Sequence, residues 1–341
     1  MTYPIDVTQS GAVLLGKSVV CDGFHFGAKV RVQTHVHDDH MTEFTSSKGL
    51  QDILTSRATH DLLIHEFDAD LPYRSNVYVI NPGESSRRND VSISILPSGH
   101  MLGAVQTAVE TASGVRLGYS GDFQWPLSAV MSVDALVIDS TYGSPARRRQ
   151  YSQDEANERF VEVVRKQYRQ GPIHIHAHRG TLQRGVQLLG TVDGLAMVAS
   201  ERLCRELQVY RNHGFAIGDV ASEASSSGRA ILRDGRFVRL YGKGDRLPVD
   251  HIDGSTIVLS AYMARADDPV LEYSERSCRV ALSDHADFDG TLEYVRASGA
   301  RYVVTDNSRG GHGVELALEI KHRLGIEAVP SRNVSSLEWG V

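Results

Sequence analysis

The heptapeptide THVHDDH, Thr34 to His40, places three histidines and two acids in seven positions. In an extended segment, side chains two apart point the same way, so His35 and His37 can reach one cation together, while Asp39 and His40 are offset and can face a second. Imidazole combined with carboxylate is a borderline-hard ligand set that suits zinc, and also manganese or iron. A solvated polar loop with chance histidines is the alternative at this one stretch. Two cations need more ligands than four side chains provide, so a chain built around this heptapeptide must bring distant segments to one edge.

The remaining sequence contains such segments. His100 follows the apolar run VSISILP, Asp122 follows VRLGYSG, Asp139 ends DALVID, His285 ends RVALSD, and His312 sits in RGGHG after RYVVTD. Functional side chains gather at strand ends because a rigid sheet positions them while the following loop leaves them accessible.

Up to about Gly143 the pattern is short apolar runs punctuated by Gly, Asn, Asp and Pro, which predicts many strands with tight connections, among them a hairpin turn at Ala112 to Gly114. The texture then changes. In SPARRRQYSQDEANERFVEVVRKQYRQG, Phe160, Val161, Val163, Val164 and Tyr168 recur at helical spacing behind the candidate caps Ser152 and Asp154. Alternating strand and helix patterns follow, with IHIHAH and LAMVAS as strands and TLQRGVQLL and RLCRELQVYRNHG as helices, predicting a parallel α/β unit. The Ser/Gly-rich GDVASEASSSGRAILRDGRF is expected to be a surface loop. Strands return at STIVLSAY and CRVALSDH, with helices at DGTLEYVRAS and GVELALEIKHRLG.

Composition narrows the function. With 341 residues and 41% hydrophobic content the chain can bury a substantial core, and a net charge of −6 argues against a protein that coats nucleic acid by charge alone. Any polyanion must meet a local patch or bound cations. Cys21, Cys204 and Cys278 are odd in number and far apart, which predicts neither a disulfide framework nor a thiolate metal site and makes a reducing cytoplasm the expected location. The N-terminal stretch has Asp6 and no basic lead-in to its short apolar run, so it is not expected to act as a signal peptide, and no membrane contact is expected.

These residues carry a resemblance. THVHDDH matches the HxHxDH motif of the metallo-β-lactamase fold, and GHMLGA, YSGDF and DSTYG resemble, in order, the motifs of its nucleic-acid-processing branch, the β-CASP nucleases. That branch includes the cleavage-and-polyadenylation endonuclease subunit, ribonuclease J and the Artemis-type DNA-repair nucleases. LSDHAD is similar to its motif B, GGHG to motif C, and Asp139 occupies motif A; the likeness runs from about residue 10 to the C-terminus. The resemblance implies an α/β architecture: a four-layer αββα metallo-β-lactamase domain at 1–144 and 275–341, with an α/β β-CASP domain inserted at 145–274. It implies two zinc ions, with manganese as a substitute, one held by His35, His37 and His100, the other by Asp39, His40 and His312, and Asp122 bridging both. Asp39, Asp139 and His285 are the implied catalytic residues, His285 as general acid and Asp139 as an orienting carboxylate. Two cations about 3.5–4 Å apart can activate a shared water and neutralise phosphate oxygens, and an imidazole titrating near neutrality suits protonation of a departing oxygen.

The activity so implied is metal-dependent hydrolysis of RNA or single-stranded DNA. The motif C histidine leans to RNA, the motif A aspartate to DNA, and the balance falls slightly on RNA. A DNA-repair exonuclease, a small-molecule hydrolase of the same fold and a non-catalytic scaffold are the competing readings. Homodimers and nucleic-acid-processing partner proteins are the associations the resemblance suggests. Arg179 and Arg184 offer either phosphate contacts or a solvent-facing helix start, and Arg147, Arg148 and Arg149 either guide a strand or form a solvated face. His174, His176 and His178 alternate as on a polar strand edge, and His25, His60, His65, His213, His251 and His322 lack ligand-like company.

Overall fold

In the computed structural model the structure describes residues 3–67, 71–246, 253–262 and 265–332. They fall into two compact units, Met1–Arg148 with His285–Val341, and Arg149–Asp284. The first unit begins with a sheet whose strands lie side by side in chain order: β1 (Ile5–Val7), β2 (Val13–Leu15), β3 (Val19–Cys21), β4 (Val30–Gln33), β5 (Asp52–Thr55) and β6 (Val77–Val79). β1 to β3 run antiparallel, β3 to β6 parallel, and helix α1 (Arg57–Phe67) makes the crossover from β5 to β6. A second sheet follows with β7 (Ser85–Arg88), β8 (Val91–Pro97), β9 (Val105–Glu110), β10 (Arg116–Tyr119) and β11 (Ala135–Ile138). Along β8 the buried residues are Val91, Ile93 and Ile95, with half-buried serines between them, as a strand with one face on a core requires.

The second unit is a seven-stranded sheet of β12 (Ile173–His176), β13 (Met197–Ala199), β14 (Val220–Ser222), β15 (Val238–Tyr241), β16 (Ser255–Ser260), β17 (Val270–Ser274) and β18 (Ser277–Ala281), in the order β14-β13-β15-β12-β16-β18-β17. All neighbours are parallel except the edge strand β17. Helices α2 (Gln153–Tyr168), α3 (Thr181–Leu189), α4 (Glu201–Asn212) and α5 (Ser226–Asp234) alternate with the strands, the arrangement expected of a parallel sheet. Ser152 caps α2 reciprocally with Glu155, so Asp154 is a first-turn residue and not the cap.

Two expectations are corrected here. The inserted unit runs from 149 to 284 and not from 145 to 274, because β18 pairs residue by residue with β16 and so belongs to the inserted sheet. The Ser/Gly-rich stretch is not a plain loop; it contains β14 and α5. Ser225 accepts the Gly228 amide as an N-cap, and a Cβ on Gly228 would sit 2.0 Å from the Ser222 carbonyl, so these small residues serve a tight strand-to-helix turn.

Arg179 and Arg184 are also placed differently from either sequence expectation. The Arg179 guanidinium is buried against Glu206, with Nε to Oε1 at 2.9 Å and Nη2 to Oε2 at 3.0 Å, and Gln183 donates to the same carboxylate at 2.7 Å. Arg184 donates to the Ser283 carbonyl and to Asn157. Both cations thus hold α3 within its own unit. Arg179→Ala would remove the cation that faces the buried Glu206 carboxylate and leave Gln183 donating to it, and the expected cost is about 3–5 kcal/mol, read as a lower denaturant midpoint.

The chain returns to the first unit through α6 (Phe288–Ser298), β19 (Tyr302–Thr305), α7 (Gly313–Leu324) and β20 (Glu327–Pro330). β19 and β20 extend the second sheet to the order β20-β19-β11-β10-β9-β8-β7. The two sheets share one core, with Val13, Leu15, Val30, Val32 and Leu54 from the first meeting Ile93, Ile95, Val109, Leu117 and Val137 from the second. On the opposite face Leu136, Ile138 and Val303 pack against Phe288, Leu292 and Val295 of α6 and Leu316 and Ile320 of α7. Each of these side chains contributes about 1.5–3 kcal/mol on burial, so the apolar core fixes the strand ends from which polar groups project. No described helix is long and apolar enough to cross a membrane.

Candidate metal centre

β4 delivers the heptapeptide. It ends at Gln33, and the chain runs on through Thr34 to His37, which is extended, before turning in a short 3-10 helix at Asp38–His40. Beneath it lie buried polar groups from β3 and β4. Asp22, one residue past β3 with φ +54°, accepts the Thr34 amide at 2.8 Å and the Thr34 hydroxyl at 2.6 Å, and its Oδ2 lies 2.8 Å from His40 Nδ1. The Gln33 amide donates to the carbonyls of His35 and His40, and Arg31, wholly buried, donates to Gln33 and to the His40 carbonyl. His35 Nδ1 lies 2.9 Å from the Thr34 hydroxyl, which leaves Nε2 to face the site.

Asp122 comes from the second sheet. Gly121 makes the turn after β10 with φ +57°, and a Cβ there would lie 2.6 Å from the Val105 carbonyl. The two Asp122 oxygens face different groups. Oδ2 is 3.7 Å from His35 Nε2 and 3.6 Å from His100 Nε2, whereas Oδ1 is 3.2 Å from His40 Nε2. His100 Nε2 in turn is 3.0 Å from His37 Nδ1.

These distances test whether a cation fits. Ligand atoms bound at about 2.0–2.1 Å in a tetrahedron stand roughly 3.3 Å apart; His37 to His100, His100 to Asp122 and His35 to Asp122 are separated by 3.0, 3.6 and 3.7 Å, and all four ligand atoms lie within 4.8 Å of one another. Among the described residues His35 Nε2 is buried with no hydrogen-bond partner although it lies 3.7 Å from Asp122 Oδ2, and the buried His40 Nε2 faces Asp122 Oδ1 at 3.2 Å. His35, His37, His100 and Asp122 can therefore hold a metal ion.

The electrostatics agree. Burial, reinforced by the neighbouring imidazoles, pushes His35 well below the usual histidine range and keeps it neutral, as a ligand must be. Burial alone would raise Asp122, but the His40 imidazole holds its carboxyl well below the usual carboxylate range. His40 is the exception: burial disfavours its charge, yet Asp122 and Asp22 outweigh it and push it up to about 10, so a cation bound there takes the place of a proton.

Asp139 and His285 meet beside this group. Asp139 Oδ1 accepts the Thr141 amide and hydroxyl at 2.8 and 2.7 Å, leaving Oδ2 3.1 Å from His285 Nδ1. His285 Nε2 is then 4.0 Å from Asp122 Oδ2. The remaining two sequence candidates are less engaged. The Asp39 side chain is 60% exposed with Oδ2 3.6 Å from His40 Nε2. The His312 amide donates to the Ser140 carbonyl at 2.7 Å, but its imidazole pairs with Glu315 at 3.8 Å and is in none of the ligand groups among the described residues.

Two contributors escaped the sequence reading. Asp22 follows a strand just as the other candidates do, and that same signal could have flagged it. Asp22→Ala would free the His40 ring, and the expected result is metal binding weakened about 10–100-fold in chelator competition. Arg309 donates to Asp306, to the Gly11 carbonyl and to the Asp39 carbonyl, and no local pattern announces it. Of the other histidines, His25 accepts the Gly27 amide, His60 pairs with Asp61, and His174 meets the Tyr241 hydroxyl at 2.8 Å; His251 lies outside the described residues. Arg148 pairs with Asp289 and Arg149 with Gln153.

Fold and site together define an α/β protein with three multi-stranded sheets and, at the strand ends of its two-sheet unit, a buried His/Asp group able to hold metal. No family model matches the chain. Over 102 residues, 29% of its length, it is 32% identical to the uncharacterized protein in lig 3'region of Acidianus ambivalens, covering 72% of that protein, and it belongs to that protein's family. Over 335 residues, 93% of its length, it is 23% identical to a probable DNA ligase of Opitutus terrae, and spans only 30% of that protein. A crystal structure of a protein of unknown function from Enterococcus faecalis V583 shares the fold, with a TM-score of 0.60 at 13% identity over 90% of this chain and 80% of that one.

Proposed function

We propose that the chain is a metallo-β-lactamase-fold phosphodiesterase of the β-CASP type, which uses two divalent cations, zinc or manganese, to hydrolyse nucleic-acid phosphodiester bonds, with single-stranded DNA as the polymer. The observation that carries this reading is the division of Asp122, whose Oδ2 faces His35 and His100 while Oδ1 faces His40, as a carboxylate bridging two cations would. When bound, the cation pair supplies an activated water and neutralises phosphate charge. The chain's own residues supply the rest. Thr34 and Asp22 fix the rotation of His35 and His40, and Asp139 holds His285 with its Nε2 directed towards Asp122, placed to give a proton to the departing oxygen. For a chain of net charge −6, cations at the site also supply the attraction for a polyanion.

The choice of polymer departs from the slight sequence preference for RNA. An aspartate at position 139 is commoner in the DNA-acting branch of the resembled nucleases, and the likeness to a probable DNA ligase along most of the chain favours DNA. The test is incubation of the metal-loaded protein with 5′-labelled and 3′-labelled single-stranded DNA and RNA of one sequence. Chelator-sensitive cleavage of the DNA is expected, and the two labels report polarity and exo or endo mode. Cleavage of neither polymer by a fully loaded protein defeats the nuclease reading; cleavage of RNA alone reverses the choice of polymer.

A further inference from the structure

We infer that Phe26, with Phe24 beside it, is a stacking platform for an unpaired base of the strand that the metal centre engages. This deepens the proposed reading, on which it rests, by assigning a residue that grips the polymer through a base instead of a phosphate.

The platform starts at the site. β3 and β4 run parallel, so the chain leaves β3 at the sheet edge that carries the heptapeptide, and Asp22, the first residue past β3, is the one that holds His40. Phe24 and Phe26 follow at once, and Glu43 and Ser46 belong to the stretch that comes directly after His40. These four residues and Leu50 line a surface depression of about 370 Å³, at the small end of the range of small-molecule sites.

The aromatic surface is exposed and rigid at once. Phe26 is 76% exposed and Leu50 60%, while Phe24 is buried and meets Phe26 edge-on, with ring centroids 5.0 Å apart at 77°. The loop that carries both rings is pinned. The buried Gln51 amide donates to the carbonyls of His25 and Ala28 at 3.1 Å each, the Gly27 amide donates to His25 Nδ1, and a Cβ on Gly23 would sit 2.3 Å from that of Ala12. One exposed phenyl ring is ordinary on a protein surface. A ring locked in place beside a depression is preorganised for a flat partner, so little ordering entropy opposes binding.

Charge selects the partner. No cation lines the depression, and its one charged group is the Glu43 carboxylate. An acid repels the phosphates of a strand and leaves them to the cations of the proposed centre. The part of a nucleotide that fits is then the neutral base, whose π-face stacks on phenylalanine whatever the sequence.

The test uses the full chain stripped of metal, so that strands stay intact, and single-stranded DNA carrying the fluorescent base 2-aminopurine at one position after another. One position should be quenched on binding; Phe26→Ala should abolish that quench and weaken affinity for the strand by about 5–150-fold, and Phe26→Trp should restore both. An abasic nucleotide at the same position should weaken binding to the parent by the same factor and to Phe26→Ala no further, a dependence that mere distortion of the loop would not produce. Quenching at no position, or an equal loss from Phe26→Ala on intact and abasic strands, overturns the platform while leaving the phosphodiesterase reading to its own cleavage test. A change of oligomeric state in Phe26→Ala with strand binding intact gives the surface to a second copy of the chain and equally overturns the platform. A metal-loaded chain that neither binds nor cleaves either polymer overturns both readings.

Discussion

Asp122→Asn is expected to lower the rate of phosphodiester hydrolysis by about a thousandfold or more, equivalent to about 4 kcal/mol of transition-state stabilisation, and to reduce the metal held per chain. Asn preserves the shape of the side chain and removes its charge, so the effect isolates the carboxylate. No other described residue has one oxygen near His35 and His100 and the other near His40. Loss of that charge removes the carboxylate that two cations would share and also the anion that offsets the burial of His40. Asp38→Asn is the matched control: Asp38 is an exposed neighbour in the same turn, and its rate should stay within about twofold, as for surface changes in general. Steady-state rates and elemental analysis of the two variants, side by side, check both halves. Equal rates for Asp122→Asn and the parent would remove the basis of the two-cation reading.

The parts of the site legible in the sequence are those with local signals. The period-two spacing of His35 and His37 and the habit of placing an acid or histidine at the end of an apolar run pointed to His100, Asp122, Asp139 and His285, and the structure gathers all of these within one unit. What stayed hidden depends on tertiary register. Asp22 reaches His40 only because β3 and β4 pair in parallel, eighteen residues apart in sequence. Arg309 meets Gly11 and Asp39 across nearly three hundred residues. The same limit explains the fold-level corrections: the Ser-rich run at Ser225 reads as a loop until its serine is seen as a helix cap, and β18 belongs to the insertion through its pairing with β16, which no composition shift marks. Arg179 shows the opposite error. A cation at a helix start suggested a phosphate contact, and a distant acid on α4, Glu206, claimed it.

His285→Ala separates the roles of proton and metal more cleanly than removal of a ligand. If His285 gives its Nε2 proton to the departing oxygen, its loss should slow hydrolysis of single-stranded DNA by about 10²–10⁴-fold. With a p-nitrophenyl phosphodiester, whose leaving group departs as a stable phenolate and needs no proton, the same variant should lose far less. Asp139→Asn should behave as a weaker copy, because the amide cannot accept two bonds from Thr141 and also stabilise a charged imidazole, yet it leaves the ring in place. A slowing of about 10–100-fold is expected there, again confined to the substrate with the poor leaving group. Both variants should keep a metal at His35, His37 and His100; Asp139 and His285 form a further possible ligand group with Asp122, so elemental analysis of each variant accompanies the rates. Equal losses on the two substrates, or loss of metal from His285→Ala, would instead make His285 a ligand or a substrate-binding group and leave the departing oxygen to be protonated by water.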